Sequence, residues 1–289
     1  MESYHYIRNA RSDYEYLLKN FSAYSRAQAE KLDCFSYLSR YDDEGLCKLY
    51  ETYNLSRFMN ESNEIGTLVN VLRWSHEILL YSEQDLYQGE ENALCIIEHC
   101  KKRRKTVNCR LHAIVLTEAL LALGFEARIV CCMPIDVLPF DNHTLTAVYS
   151  HELGKWVALD PSRNCYFLDN FNNMLSVAEI RELLIRNEII QFKYLHRFSG
   201  LKGGNALVQF DDEWYMDYLY KNFFRFYCSA YNGSTDKMPR ISYHLVPSGY
   251  VEVNVEKEYC YDGQPSVKII NTDDVNMFWE KPAMRKGVM

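Results

Sequence analysis

The chain lacks any long apolar run: nothing approaches the ~18 consecutive hydrophobic residues of a membrane-spanning helix. Its start, Met1-Glu2-Ser3-Tyr4-His5-Tyr6, lacks the apolar segment and small-residue cleavage site of a secretory signal. A cytoplasmic protein is therefore expected. There is no Cys-x2-Cys pair, so the ten cysteines do not have the spacing of structural zinc, and in a reducing compartment they read as thiols. No internal repeat is visible, and no Pro-Gly linker divides the chain before Pro134. Positive charge is in deficit. The 32 Lys and Arg against 39 Asp and Glu give a net charge of -7, which suits neither nucleic acid nor an anionic membrane surface. The one basic run, Lys101-Lys102-Arg103-Arg104-Lys105, reads as a solvated loop before a helix.

No cofactor or required metal is expected either. Cys95, His99 and Cys100 lie close together, but in a helical pattern where buried thiols are common. Asp211-Asp212-Glu213 has neither the spacing nor the central glycine of an EF-hand loop.

What is present is the mix of an ordinary globular protein: 289 residues, 48% hydrophobic and 25% charged, enough for one large domain or two modest ones. Helical spacing dominates to about residue 100, as in Leu68, Val71, Leu72 and Ser75. Residues 109–123 form an unusually apolar helical segment, with Asn108 as N-cap and Gly124 where a left-handed C-cap belongs. The period then falls to two. Ala127–Cys132, Thr144–Ser150 and Lys155–Leu159 read as strands, the last two joined by the turn His151-Glu152-Leu153-Gly154. Ser176 and Glu179 form a capping box for a helix through Arg186. Trp214–Tyr231 reads as an aromatic-rich helix. Ile241–Val246, Tyr250–Val255 and Val267–Ile270 read as strands, with a turn at Pro247-Ser248-Gly249.

Three residues of this pattern carry chemistry. Cys109 falls at the first turn of the apolar helix, where unpaired backbone amides and the positive end of the dipole favour an anion, and a thiolate is the nucleophile. A thiolate needs a partner to protonate the leaving group. His143, at a strand start with apolar neighbours Leu145, Ala147 and Tyr149 on its face, is placed for that. Asp160 is an acidic end to an otherwise apolar strand, held extended by Pro161. A turn centred between His151 and Glu152 sets His143 directly opposite Asp160, and a bulge at Gly154 shifts that register by a residue or two. His112, three residues after Cys109 on the same helix face, reads as core packing.

The ordered set Asn108-Cys109-Arg110, Leu123-Gly124-Phe125-Glu126-Ala127-Arg128, Asn142-His143 and Trp156-Val157-Ala158-Leu159-Asp160-Pro161 resembles the transglutaminase-like superfamily, in its bacterial-type members. The likeness covers about residues 90 to 170 and departs from the family at Glu126, at Val107 where Gly-x-Cys is common, and at Thr144. It implies an α+β, papain-like fold with the nucleophile helix packed on an antiparallel sheet. It implies Cys109 as nucleophile, His143 as base and Asp160 as the orienting carboxylate. The activity implied is acyl transfer on a peptide or protein carboxamide through a thioester, as a hydrolase (peptidase or amidase) or a transglutaminase. The competing readings are a non-catalytic binding module of the same fold, which the intact Cys, His and Asp argue against, and a papain-like peptidase, which would use Asn in place of Asp160. The oxyanion donors in view are the Cys109 backbone amide and the side chains of Asn108, Trp74 and His76. The organisation expected is a helical region over 1–90 packed on the core, a catalytic core over 91–190, and a mixed region over 191–289 in the same globule.

Overall fold

A computed structural model describes residues 11–26, 34–60, 62–82, 87–103, 106–135, 142–195, 211–234, 240–251, 256–259 and 266–282. The N-terminal part is α1 (Arg11–Asn20), the short strand β1 (Ser36–Tyr37), α2 (Glu44–Thr52), a single 3₁₀ turn (Leu55–Phe58), α3 (Glu64–Glu77), α4 (Ala93–Arg103) and α5 (Cys109–Leu123). Then come β2 (Ala127–Met133), β3 (His143–Ser150), β4 (Lys155–Asp160), β5 (Cys165–Leu168), α6 (Val177–Arg186), β6 (Gln191–Tyr194) and α7 (Asp212–Asn222). The chain closes with β7 (Arg225–Ser229), β8 (Tyr231–Asn232), β9 (Ile241–Leu245), β10 (Glu256–Tyr259), β11 (Val267–Thr272) and the one-turn helix α8 (Val275–Phe278).

The architecture is α+β, built around α5. Every residue of this helix except Arg110 is buried, because it runs between two layers: α2, α3 and α4 on one side, β2 and β3 on the other. A helix that is apolar all round needs such a place. Its ends follow the sequence signals. Asn108 Oδ1 accepts the Leu111 N–H at 3.2 Å, and Gly124 takes φ 99°, a conformation that side-chain-bearing residues rarely adopt. The helix is also stitched to the sheet through Thr146, whose Oγ1 lies 3.2 Å from Thr117 Oγ1 and 3.3 Å from the Ala113 carbonyl.

Nine strands form one sheet in the order β10-β11-β9-β7-β2-β3-β4-β5-β6. All its pairs are antiparallel except β9 with β11, which runs parallel; the strands on which α5 packs are antiparallel, as expected. Both faces are covered. Ala127, Val148, Val157 and Leu159 pack in the cluster with α5; Val130, Cys132, Leu145, Ala147, Trp156 and Ala158 pack in a second cluster with α1, α6 and α7. That explains why β3 is buried along its whole length and shows no polar alternation. The C-terminal strands join the same sheet, since β7 pairs with β2 and β9 with β7. The last helix is anchored by Arg128, which is sealed from solvent and donates to the Phe278 carbonyl at 2.8 Å. Its guanidinium lies within 5.3 Å of the Phe35, Trp156, Phe278 and Trp279 ring centroids, a cation–π enclosure.

Several sequence expectations are corrected here. Thr146 pairs with Leu159 and Ser150 with Lys155. The turn therefore takes up all four residues from His151, with Gly154 at φ 65°, and Asp160 falls across from Leu145 rather than His143. A slip of two keeps the side chain on the same face. The expected helix over Trp214–Tyr231 ends at Asn222, and β7 begins at Arg225. Lys101–Arg103 close α4 instead of forming a loop, while Arg104 and Lys105 lie outside the described residues. Of the expected strand Tyr250–Val255, Tyr250 and Val251 fall in a turn and bend, and 252–255 lie outside the described residues.

Candidate active site

Cys109, His143 and Asp160 meet where β3 starts, β4 ends and α5 begins. The segment before Cys109 is tied down by a bridge between Val107 and Tyr81, with the Val107 N–H donating to the Leu80 carbonyl at 2.8 Å. This sets the first turn of α5 against the sheet end. Cys109 lies close enough to His143 to act on the ring and raise it. His143 Nε2 lies 2.8 Å from Asp160 Oδ2.

Asp160 uses its two oxygens for different work. Oδ1 accepts the Ser162 N–H at 2.9 Å, the Ser162 hydroxyl at 2.6 Å and the Arg163 N–H at 3.1 Å, capping the turn after β4. Oδ2 faces the imidazole. Turn-capping and histidine-orienting are thus both present, one oxygen each. Burial opposes the Asp160 charge, but the His143 imidazolium, with Arg163 and the Ser162 hydroxyl behind it, holds the carboxyl well below the usual range. Burial would likewise discharge His143; the Asp160 carboxylate and then Cys109 outweigh it and raise the ring to about 9. The arrangement favours a charged imidazolium beside Cys109 at neutral pH.

Two aromatic residues of α7 complete the surroundings and were not found by sequence reasoning. The buried Tyr215 hydroxyl donates to Asp160 Oδ2 at 2.5 Å and lies 3.2 Å from His143 Nε2. Tyr218 meets the His143 ring edge-on, with centroids 5.3 Å apart, and its hydroxyl donates to the Asn142 carbonyl at 3.0 Å. The only sequence signal was the aromatic density after Asp211, a residue that proves to be the N-cap of α7.

The remaining candidates occupy distinct positions. Asn108 serves as the α5 N-cap. Trp74 packs into the core, its ring 5.6 Å from Tyr53 and 5.9 Å from Phe58. His76 Nδ1 lies 2.8 Å from the Pro161 carbonyl and so braces the turn after Asp160. His112 is fully buried, 5.9 Å from the His76 ring, and burial, reinforced by His76, lowers it to about 3. Of the other buried cysteines, Cys100, Cys131, Cys132, Cys165 and Cys228 are all pushed up by burial, which makes them poor nucleophiles near neutrality. No disulfide joins the nine described cysteines, and no cluster of three His, Cys, Asp or Glu able to hold a metal occurs among the described residues. No helix among them is long and apolar enough to cross a membrane.

Among solved structures, the chain is similar to a protein of Cytophaga hutchinsonii described as a candidate cysteine protease. The two are 20% identical over 45% of this chain and 41% of that one, with a TM-score of 0.31. The chain spans about two fifths of that protein's length. No curated protein matches. The family model of the transglutaminase-like superfamily matches residues 54–161, a span that contains Cys109, His143 and Asp160. Over residues 54–161, the chain is thus similar to the transglutaminase-like superfamily.

Proposed function

We propose that the protein is a cysteine-dependent acyl-transfer enzyme acting on a peptide or protein carboxamide, with Cys109 as nucleophile, His143 as acid and base, and Asp160 as the orienting carboxylate. The observation that carries this reading is the buried His143–Asp160 pair, 2.8 Å apart, with Cys109 among the groups that raise the imidazole. In the first half-reaction the Cys109 sulfur bonds to the substrate carbonyl carbon. The C–N bond breaks, and the His143 imidazolium gives its proton to the departing amine. A thioester remains. In the second, water or an amine attacks the thioester, His143 takes up the incoming proton, and the thiolate leaves. The Cys109 backbone amide, in the unpaired first turn of α5, is the proposed oxyanion donor. The Asn108, Trp74 and His76 side chains are accounted for by the cap, the core and the Pro161 brace.

With water as acceptor the enzyme is a peptidase or amidase; with an amine it is a transglutaminase. The test is acylation by a small activated ester, followed by peptide mass mapping. The expected result is a single acetyl group on Cys109, absent in Cys109→Ala, and discharged faster when a primary amine is added if amines are acceptors. Acetylation spread over several cysteines, or persisting in Cys109→Ala, would refute the assignment.

A further inference from the structure

Tyr215 presents a hydroxyl that packing alone does not require. Its ring is already fixed: Phe192 lies 4.9 Å away, and the Arg163 guanidinium sits 4.5 Å over the opposite contact. A phenylalanine would fill that space. On Asp160, Oδ1 already accepts three donors, the Ser162 amide and hydroxyl and the Arg163 amide, whereas Oδ2 is left to His143 and the Tyr215 hydroxyl. The hydroxyl is thus aimed at Oδ2, the very oxygen that orients the imidazole.

We propose that Tyr215 is a positioning residue for this site: by donating to Asp160 Oδ2 it fixes the lone pair that His143 uses and weakens the carboxylate's hold on the imidazolium. The inference rests on the acyl-transfer reading above. A carboxylate oxygen shared with a neutral donor is a poorer acceptor for a second donor. The imidazolium is then a better acid toward the departing amine than it would be with Asp160 alone. Burial, followed by the nearby Asp160 charge, pushes the Tyr215 phenol well above 10, so it remains a donor throughout the working range. The other groups near His143 and Asp160 come from every neighbouring element. Cys109 comes from α5, Cys132 from β2, where it pairs with His143, and Tyr218 from α7. Arg163 and Cys165 act through Asp160 from the turn and β5. None of these changes when only the Tyr215 hydroxyl is removed.

The experiment is Tyr215→Phe, with the His143 titration followed by NMR on isotope-labelled histidine and the signal assigned by its loss in His143→Gln. The pH dependence of turnover is measured on the same preparations. Removing the hydroxyl should raise the His143 midpoint and carry the descending limb of the pH profile upward by about half to one pH unit, the size of one neutral hydrogen bond. Turnover should fall about three- to tenfold. A midpoint that stays in place or moves down overturns the proposal, even if the melting temperature drops, because a structural hydroxyl would alter only the latter. If Tyr215→Phe does not fold, replacing Tyr215 by 3-fluorotyrosine, a stronger donor, must move the midpoint down, and no movement overturns the proposal equally. The titration needs no substrate. Failure of the acyl-transfer reading would instead appear as an unaltered protein that is not acylated at Cys109.

Discussion

His112 and His143 stand on either side of the sheet end, both sealed from solvent, and they settle in opposite charge states. His112 lies on the α5 side among His76, Tyr81 and the helical core, and is lowered to about 3. His143 lies on the α7 side and is raised to about 9. Burial pushes both rings the same way, so burial is not what distinguishes them. The difference is Asp160, which touches His143 at 2.8 Å and reaches His112 only as a minor charge. A buried histidine is a core residue by default and becomes an acid–base group only when a carboxylate is sealed in with it.

The largest effect expected is that of Cys109→Ala, which should lower turnover by at least about three orders of magnitude with the fold intact, as nucleophile removal does in other covalent enzymes. Circular dichroism and turnover on one preparation check this. Next comes Asp160→Asn, which should make His143 resemble His112. With the carboxylate gone, burial takes over and the ring should be neutral at pH 7 by NMR. Turnover should drop about 10²-fold, less than the roughly 10⁴-fold of the corresponding serine-protease change, because a sulfur nucleophile leans less than a hydroxyl on the base that the carboxylate orients. The melting temperature should fall too, since Oδ1 caps the turn at Ser162 and Arg163. Unchanged turnover would remove Asp160 from the mechanism.

The two histidines also bend stability in opposite directions with pH. His143 is raised from 6.5, so the stability it adds is complete below about pH 6.5 and is lost as the pH climbs through about 9. His112 is lowered from 6.5, so below that pH only the unfolded chain takes up its proton and the native state loses ground. His112→Leu should therefore gain about 2 kcal/mol on the unaltered protein between pH 7.5 and 5, measured by urea unfolding, while turnover stays within about threefold. A turnover loss comparable to that of Asp160→Asn would mean that His112 takes part in the chemistry. The smallest change is Asn108→Ala, expected to cost about 1 kcal/mol through the lost cap and to leave turnover within severalfold. A hundredfold loss there would mark the Asn108 side chain as an oxyanion donor.

The parts of this molecule written in local signals were legible. The bounds of α5 followed from Asn108 and Gly124, the α6 start from the Ser176–Glu179 capping box, and β3 and β4 from their short runs on either side of the turn between them. The side chains of Cys109, His143 and Asp160 were legible as a set because each sits at an element end, where a polar residue interrupts an apolar run. What failed was non-local or uniform. The β3–β4 register slipped by two because the turn length depends on Gly154 adopting a left-handed conformation. The α7–β7 boundary was hidden because both elements are buried and aromatic, so neither period stands out. Tyr215 is 72 positions from His143, and no spacing rule connects them. The C-terminal strands join the sheet through β7 beside β2, a pairing nearly a hundred residues apart in the chain.

The central claim, that Cys109 is a nucleophile activated by His143, is tested most directly by alkylation with iodoacetamide at pH 7, with the order of labelling read by peptide mass mapping in the unaltered protein and in His143→Ala. Cys109 is only 8% exposed, whereas Cys47 and Cys95 are partly open to solvent, so exposure alone predicts that Cys109 reacts late. The account predicts that Cys109 reacts first and falls back behind Cys47 and Cys95 once His143 is removed. Labelling of Cys109 that lags in the unaltered protein, or that is indifferent to His143→Ala, would contradict it.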